Sequence, residues 1–174
     1  MKKKINVIAE IGINHDGSFY KAKKLINLAK KSGATSVKFQ LFEPKDLYLP
    51  VSKNFKGVSK FKLAESEILK LRQYAKKNKI KFICTAFSQK SASFLKSIKV
   101  DAIKIASMDA NNFILIEHCL RLNLPIIIST GMCNINDLKK LSKLIKDNKK
   151  VSVLHCLSNY PAKIKDINLS SLKV

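Results

Sequence analysis

Along this chain, short apolar runs that alternate every second residue are separated by longer stretches with apolar residues every third or fourth position. Residues 5–11 read as a first strand, Gly12 to Gly17 as a loop, and 18–32 as a helix. That helix has Ser18 at its cap, Ala22, Leu25, Ile26 and Ala29 on one face, and Gly33 at its end. A second strand is expected over 35–41 and a second helix over 65–78, with a loop from Phe42 to about Leu63 between them. A connection of that length in a compact domain is more often functional than idle. Further strands are predicted over 81–85, 101–106, 126–129 and 151–155. Helices are predicted over 88–97, over about 112–122, and from the Asn134/Asp137 cap onward, with Leu138, Leu141 and Ile145 on one face. Asn168 to Ser170 reads as the start of one more helix.

Strictly alternating strands and helices predict a parallel sheet joined by right-handed crossovers, either an open doubly wound sheet or a barrel. No Gly-x-Gly-x-x-Gly follows the first strand, so a dinucleotide fold gains no support. Polar residues gather where the strands finish: Glu10, then Lys38 and Gln40, then Thr85, Lys104 and Ser107, Ser129 and Thr130, and finally His155 and Ser158. Contributions from so many strand ends point to a central pocket of the kind found at the carboxyl face of α/β barrels.

The second strand shows the pattern most clearly. Val37, Phe39 and Leu41 face one way, while Ser36, Lys38 and Gln40 face the other. A lysine inside an apolar run is costly to bury unless an anion meets it. Lys104 repeats the arrangement between Ile103 and Ile105. The plain alternative is that both lysines sit on edge strands and reach out to water. Two such lysines, with Glu10 and hydroxyls at matching positions, favour an anion-binding site.

Composition adjusts this picture only modestly. The 174 residues suffice for one domain with a sizeable core, and the apolar fraction of 46% excludes extensive disorder. The net charge of +22 is almost all lysine, scattered in pairs over every helix. Without an arginine-rich arm, an aromatic-interleaved basic stripe or zinc-ligand spacing, this reads as a solvated coat rather than a nucleic-acid face. Cys84, Cys119, Cys133 and Cys156 form no C-x-x-C pair, and Cys84 and Cys156 fall in apolar strands, which suits buried free thiols in a reducing compartment. No apolar run approaches membrane-spanning length and no signal peptide is recognised, so a cytoplasmic location is expected. His118 reads as an ordinary helix residue and His15 as a loop histidine. Three histidines without partner spacing make no metal motif, and neither a nucleophile elbow nor a phosphate loop occurs.

At these residues the chain resembles the sialic acid synthases, with their legionaminate, pseudaminate and spore-coat polysaccharide relatives. The resemblance rests on the segments Ala9 to Gly17, Val37 to Gln40, Lys104 to Ser107, Ser129 to Met132, His155-Cys156 and Tyr160-Pro161, in that order. It implies a (β/α)8 barrel, of which residues 1–174 would supply about six units. Strands seven and eight, with the metal-ligand histidines they carry in the family, and a C-terminal antifreeze-like domain would then lie outside this stretch. Strands one and six would remain as open edges, and the stretch by itself would be inactive.

The implied reaction condenses phosphoenolpyruvate with an N-acetylated hexosamine such as N-acetylmannosamine, yielding a nonulosonic acid and phosphate. The resemblance assigns Lys38, Thr85, Lys104, Ser107 and Ser129, with Ser158, to the phosphate and carboxylate of phosphoenolpyruvate. It sets Gln40, Phe87 and Tyr160 against the sugar and makes Glu10 the acid/base or water-orienting carboxylate. A divalent manganese or magnesium ion and a homodimer are implied for the complete enzyme. Two departures from the family pattern are Ala86, where many members carry proline, and Ser158, where some carry asparagine. A non-catalytic remnant or sugar-phosphate-binding fragment of the same fold is the alternative; a basic nucleic-acid-binding domain is a third reading.

Overall fold

The computed structural model describes residues 5–146 and 148–173. Every expected strand forms: β1 (Ile8–Gly12), β2 (Ser36–Leu41), β3 (Lys81–Ala86), β4 (Ala102–Ile105), β5 (Ile126–Ser129) and β6 (Val151–Leu154). They build one six-stranded sheet in the order β1-β2-β3-β4-β5-β6, and every adjacent pair is parallel. Because spatial order repeats chain order, the sheet has no point where its winding reverses. Each right-handed crossover steps in the same direction, which puts the helices on one face. This is the winding of a (β/α) barrel, here as six units, and it removes the doubly wound alternative.

The helices are α1 (Phe19–Lys31), α2 (Pro44–Leu47), α3 (Phe55–Ser59), α4 (Glu65–Lys77), α5 (Gln89–Ser97), α6 (Phe113–Arg121) and α7 (Ile135–Ile145). Their starts follow the sequence signals. Ser18 accepts from the Lys21 amide, and Asn134 accepts from the Asn136 and Asp137 amides while Asp137 accepts from the Asn134 amide. Gly33, at φ +85°, takes the left-handed turn after α1 that its lack of a Cβ permits. The core lies between sheet and helices. Val37, Phe39, Cys84, Ile103, Ile105 and Ile128 meet Ala22, Ile26, Ile68, Leu71, Leu95 and Ile116, all without measurable exposure. Full burial of each large aliphatic or aromatic side chain contributes about 1.5–3 kcal/mol.

Four expectations are corrected. The first strand begins at Ile8 rather than Ile5: Ile5 and Val7 are exposed, since this end of the sheet offers pairing on one side only. The 42–63 connection is not structureless, because α2 and α3 fold within it and a Lys62–Glu43 ion pair of 2.7 Å ties its ends. Cys156 lies beyond β6 and is half-buried, as is Cys133, whereas Cys84 and Cys119 are buried. Burial raises the Cys84 thiol far above its usual range and pushes Cys119 up to about 12, so both stay protonated packing groups. The expected helix start at Asn168 is a 3-10 turn, Leu169–Lys173. Among the described residues, β1 and β6 each keep one unpaired edge, and Val153 and Leu154 on β6 are exposed.

Candidate active site

Register, set by the alternation of β2 and its neighbours, assembles the polar strand ends. Gln40 pairs with Thr85 and Thr85 with Lys104, while Glu10 pairs with Lys38. Side chains at paired positions share a face. The face opposite the helices therefore carries these residues side by side across four strands. They open into a cavity of about 810 Å³ at the carboxyl ends of the strands. That size suits a small-molecule site.

Of the candidates named from sequence, Glu10, Lys38, Gln40, Thr85, Lys104, Ser107, Ser129, Ser158 and Tyr160 all line this cavity. Phe87 does not: its ring packs edge to face on buried Phe42, 6.1 Å between centroids, and takes no part in the lining. Tyr160 stands at the rim, 94% exposed, just before a cis peptide bond to Pro161.

Both lysines occupy interior strands. β2 is flanked by β1 and β3, and β4 by β3 and β5, which rules out the edge-strand reading. Lys38 Nζ lies 2.5 Å from Glu10 Oε2 and 3.5 Å from Thr85 Oγ1. Lys104 is only 6% exposed and donates to the Ile105 carbonyl at 2.6 Å, with no carboxylate partner among the described residues. Desolvation, then the nearby Lys38 charge, pulls its pKa down to about 8. The site thus holds one neutralised lysine and one strained for want of an anion. Hydroxyls complete it: Thr85 and Ser129 are buried, and Ser107 Oγ accepts from the Gly131 amide at 3.2 Å, which leaves its O–H to donate inward.

Glycines shape the walls. A register shift between Glu10 and Gly12 bulges β1, and Gly12 at φ +51° turns the chain there. Such bulges re-aim side chains beside active sites, and here the bulge follows Glu10 directly. A Cβ on Gly131 would stand 2.7 Å from Ser158 Oγ and 3.0 Å from the Cys156 carbonyl, so only glycine lets those segments close on the cavity.

Polarity-based reasoning passed over the apolar rim of Ile13, Met108 and Met132, and over Asn14, which also lines the cavity. The one available signal was their position just after strand ends. Among the described residues, no group of three or more His, Cys, Asp or Glu side chains is gathered to hold a metal. The donor set in this stretch does not by itself fit a divalent ion.

The NeuB family profile matches residues 25–174. N,N'-diacetyllegionaminic acid synthase of Legionella pneumophila is 33% identical over 187 aligned positions, covering 96% of this chain and 52% of that protein. The spore coat polysaccharide biosynthesis protein SpsE of Bacillus subtilis is 36% identical, covering 94% of this chain and 48% of SpsE. Among solved structures, the N-acetylneuraminic acid synthetase of Leptospira borgpetersenii, crystallised with citrate, superposes with a TM-score of 0.93 at 30% identity, over 98% of this chain and 60% of that one. The chain spans about half the length of the curated relatives it matches.

Proposed function

The chain belongs to the NeuB family, and on that premise we propose that its cavity binds phosphoenolpyruvate for condensation with an N-acetylated hexosamine. The observation that carries this reading is the convergence of Lys38 and Lys104, from two interior strands, with the hydroxyls of Thr85, Ser107 and Ser129 in one cavity. A small trianion needs fixed cations and aimed hydroxyl donors more than it needs apolar surface. A buried lysine without a counterion gains most when that anion arrives. The relatives named as legionaminic and neuraminic acid synthases, and the citrate found with one of them, point the same way.

In this reading Lys104 and Lys38 hold the anionic groups, and Gln40 and Tyr160 meet the sugar at the outer part of the cavity. Glu10, aimed by the bulge, carries or removes a proton near the reacting carbons. The Thr85, Ser107 and Ser129 hydroxyls fix the anion's orientation. The manganese or magnesium ion of the complete enzyme would need ligands beyond a cluster of these residues, and no role assigned to them depends on it. We further read residues 1–174 as six units of an eight-unit barrel, in which two more units join the free edges of β6 and β1. By itself the six-unit stretch is then expected to lack turnover. The homodimer and the cytoplasmic location stand as parts of the same proposal; no helix among the described residues is long and apolar enough to cross a membrane.

Calorimetric titration of phosphoenolpyruvate tests the reading. Lys104→Met removes a charge-assisted contact worth about 1.5–3 kcal/mol, so affinity is expected to fall about 10- to 100-fold. Equal affinity in the variant takes Lys104 out of the site and the reading with it.

A further inference from the structure

His15 has no place in the cavity lining, yet it is 1% exposed and stacks on Phe39 with 6.1 Å between ring centroids. Phe39 is the residue between Lys38 and Gln40 on β2. The His15 ring Nδ1 accepts the Gly17 amide at 3.1 Å. The far end of the Gly12–Gly17 loop is thus tied through one imidazole to the core side of β2. Within that loop lie Ile13 and Asn14, which line the cavity, and Asn14 Nδ2 donates to the Ile11 carbonyl at 2.9 Å. Gly17, at φ +72°, presses so closely on the 42–63 segment that a Cβ there would stand 2.2 Å from the Lys60 carbonyl.

We propose that His15 is a positioning residue: a neutral imidazole that braces the Gly12–Gly17 loop and so holds one wall of the anion cavity in place. The inference rests on reading that cavity as the binding site. An acceptor at Nδ1 exists only while the ring is neutral, since both nitrogens of an imidazolium are donors. Burial favours the neutral form and lowers the pKa, opposed by the Gly12 backbone and by the charges of Asp16 and, from α4, Glu67, while Lys21 on α1 adds to the lowering. Acid therefore breaks the brace: stability contributed by the neutral ring is full above about pH 6.5 and declines as pH falls below it.

The test compares wild type with His15→Phe, which keeps a ring against Phe39 but loses both nitrogens, and His15→Asn, which returns an acceptor near the Nδ1 position. Phosphoenolpyruvate affinity is expected to fall about 10-fold in His15→Phe and to recover in His15→Asn. Between pH 5.5 and 7.5 the wild-type affinity is expected to drop toward acid more than that of His15→Asn; the ligand's own titration is common to both and cancels. Amide hydrogen exchange at Gly17 should quicken in His15→Phe, and in wild type toward acid once the intrinsic pH dependence is removed. Equal affinity and equal exchange in His15→Phe and wild type overturn the proposal. Should His15→Phe fail to fold, the wild-type Gly17 exchange profile decides, and a flat corrected profile overturns it. Should wild type bind no phosphoenolpyruvate, the functional reading fails, while the exchange comparison still decides the role of His15.

Discussion

Lys38 and Lys104 differ in what each lacks. Lys38 already has an anion, Glu10, at 2.5 Å, whereas Lys104 has only a backbone carbonyl. Glu10 therefore competes with any ligand for Lys38. Glu10→Gln is expected to tighten phosphoenolpyruvate binding by about two- to five-fold, a range set by exposed ion pairs because Glu10 is half exposed. Weaker binding in Glu10→Gln would sink the competition; synthase turnover in a complete enzyme should fall in the same variant. Lys104 gives a second prediction. With its pKa near 8, it is part neutral at pH 8–9, and an anion raises that value. Binding at pH 8.5 is expected to take up roughly three quarters of a proton, read from titrations in buffers of different ionisation enthalpy. Affinity should decline as pH rises through 8, since the neutral amine no longer attracts the anion; a constant affinity from pH 7 to 9.5 would contradict this. In the absence of ligand the sign for folding is opposite: the unfolded chain binds more protons between about 8 and 10.5, so this group's penalty on stability is full below pH 8 and is relieved as pH rises.

At the scale of elements, strands and caps were legible because their signals are local. Lys38 between Val37 and Phe39, or Asn134 three residues before Asp137, carries its placement in its immediate neighbours. The misplacements come from tertiary circumstance. β1 starts at Ile8 because it has one neighbour, and the Phe87 ring packs edge to face on Phe42, from another segment, outside the cavity lining. The role of His15 was invisible for the same reason: its stacking partner Phe39 lies on β2 and the Lys60 carbonyl beyond α3. The β1–α1 loop yields its own prediction. Gly17→Ala must fit a Cβ against that carbonyl in a left-handed conformation. A cost of about 3 kcal/mol is expected, a fall in Tm of roughly 6 to 12 °C by thermal unfolding. A shift within 2 °C would mean that the loop and the 42–63 segment do not bear on each other.

For the whole molecule, charge is the dominant surface property. A formal +22 on 174 residues repels itself, and only three ion pairs offset it among the described residues. Raising salt from about 10 to 150 mM shortens the screening length from about 30 to 8 Å and is expected to raise Tm. A falling Tm would place attractive charge networks above repulsion. The same field draws small anions toward the cavity at low salt.

The strand order has a consequence for how the site comes into being. Each strand pairs only with those made just before and just after it, so the sheet grows outward from β1 as the chain emerges. Lys38 and its Glu10 partner are in place once β2 docks, but the second cation arrives only with β4, near residue 105. Once β4 has docked, and before β5 and β6 must, an anion in solution has two lysines to bridge. Its binding energy adds to a half-grown sheet, and the substrate class that the finished site would use can also steady the nascent one.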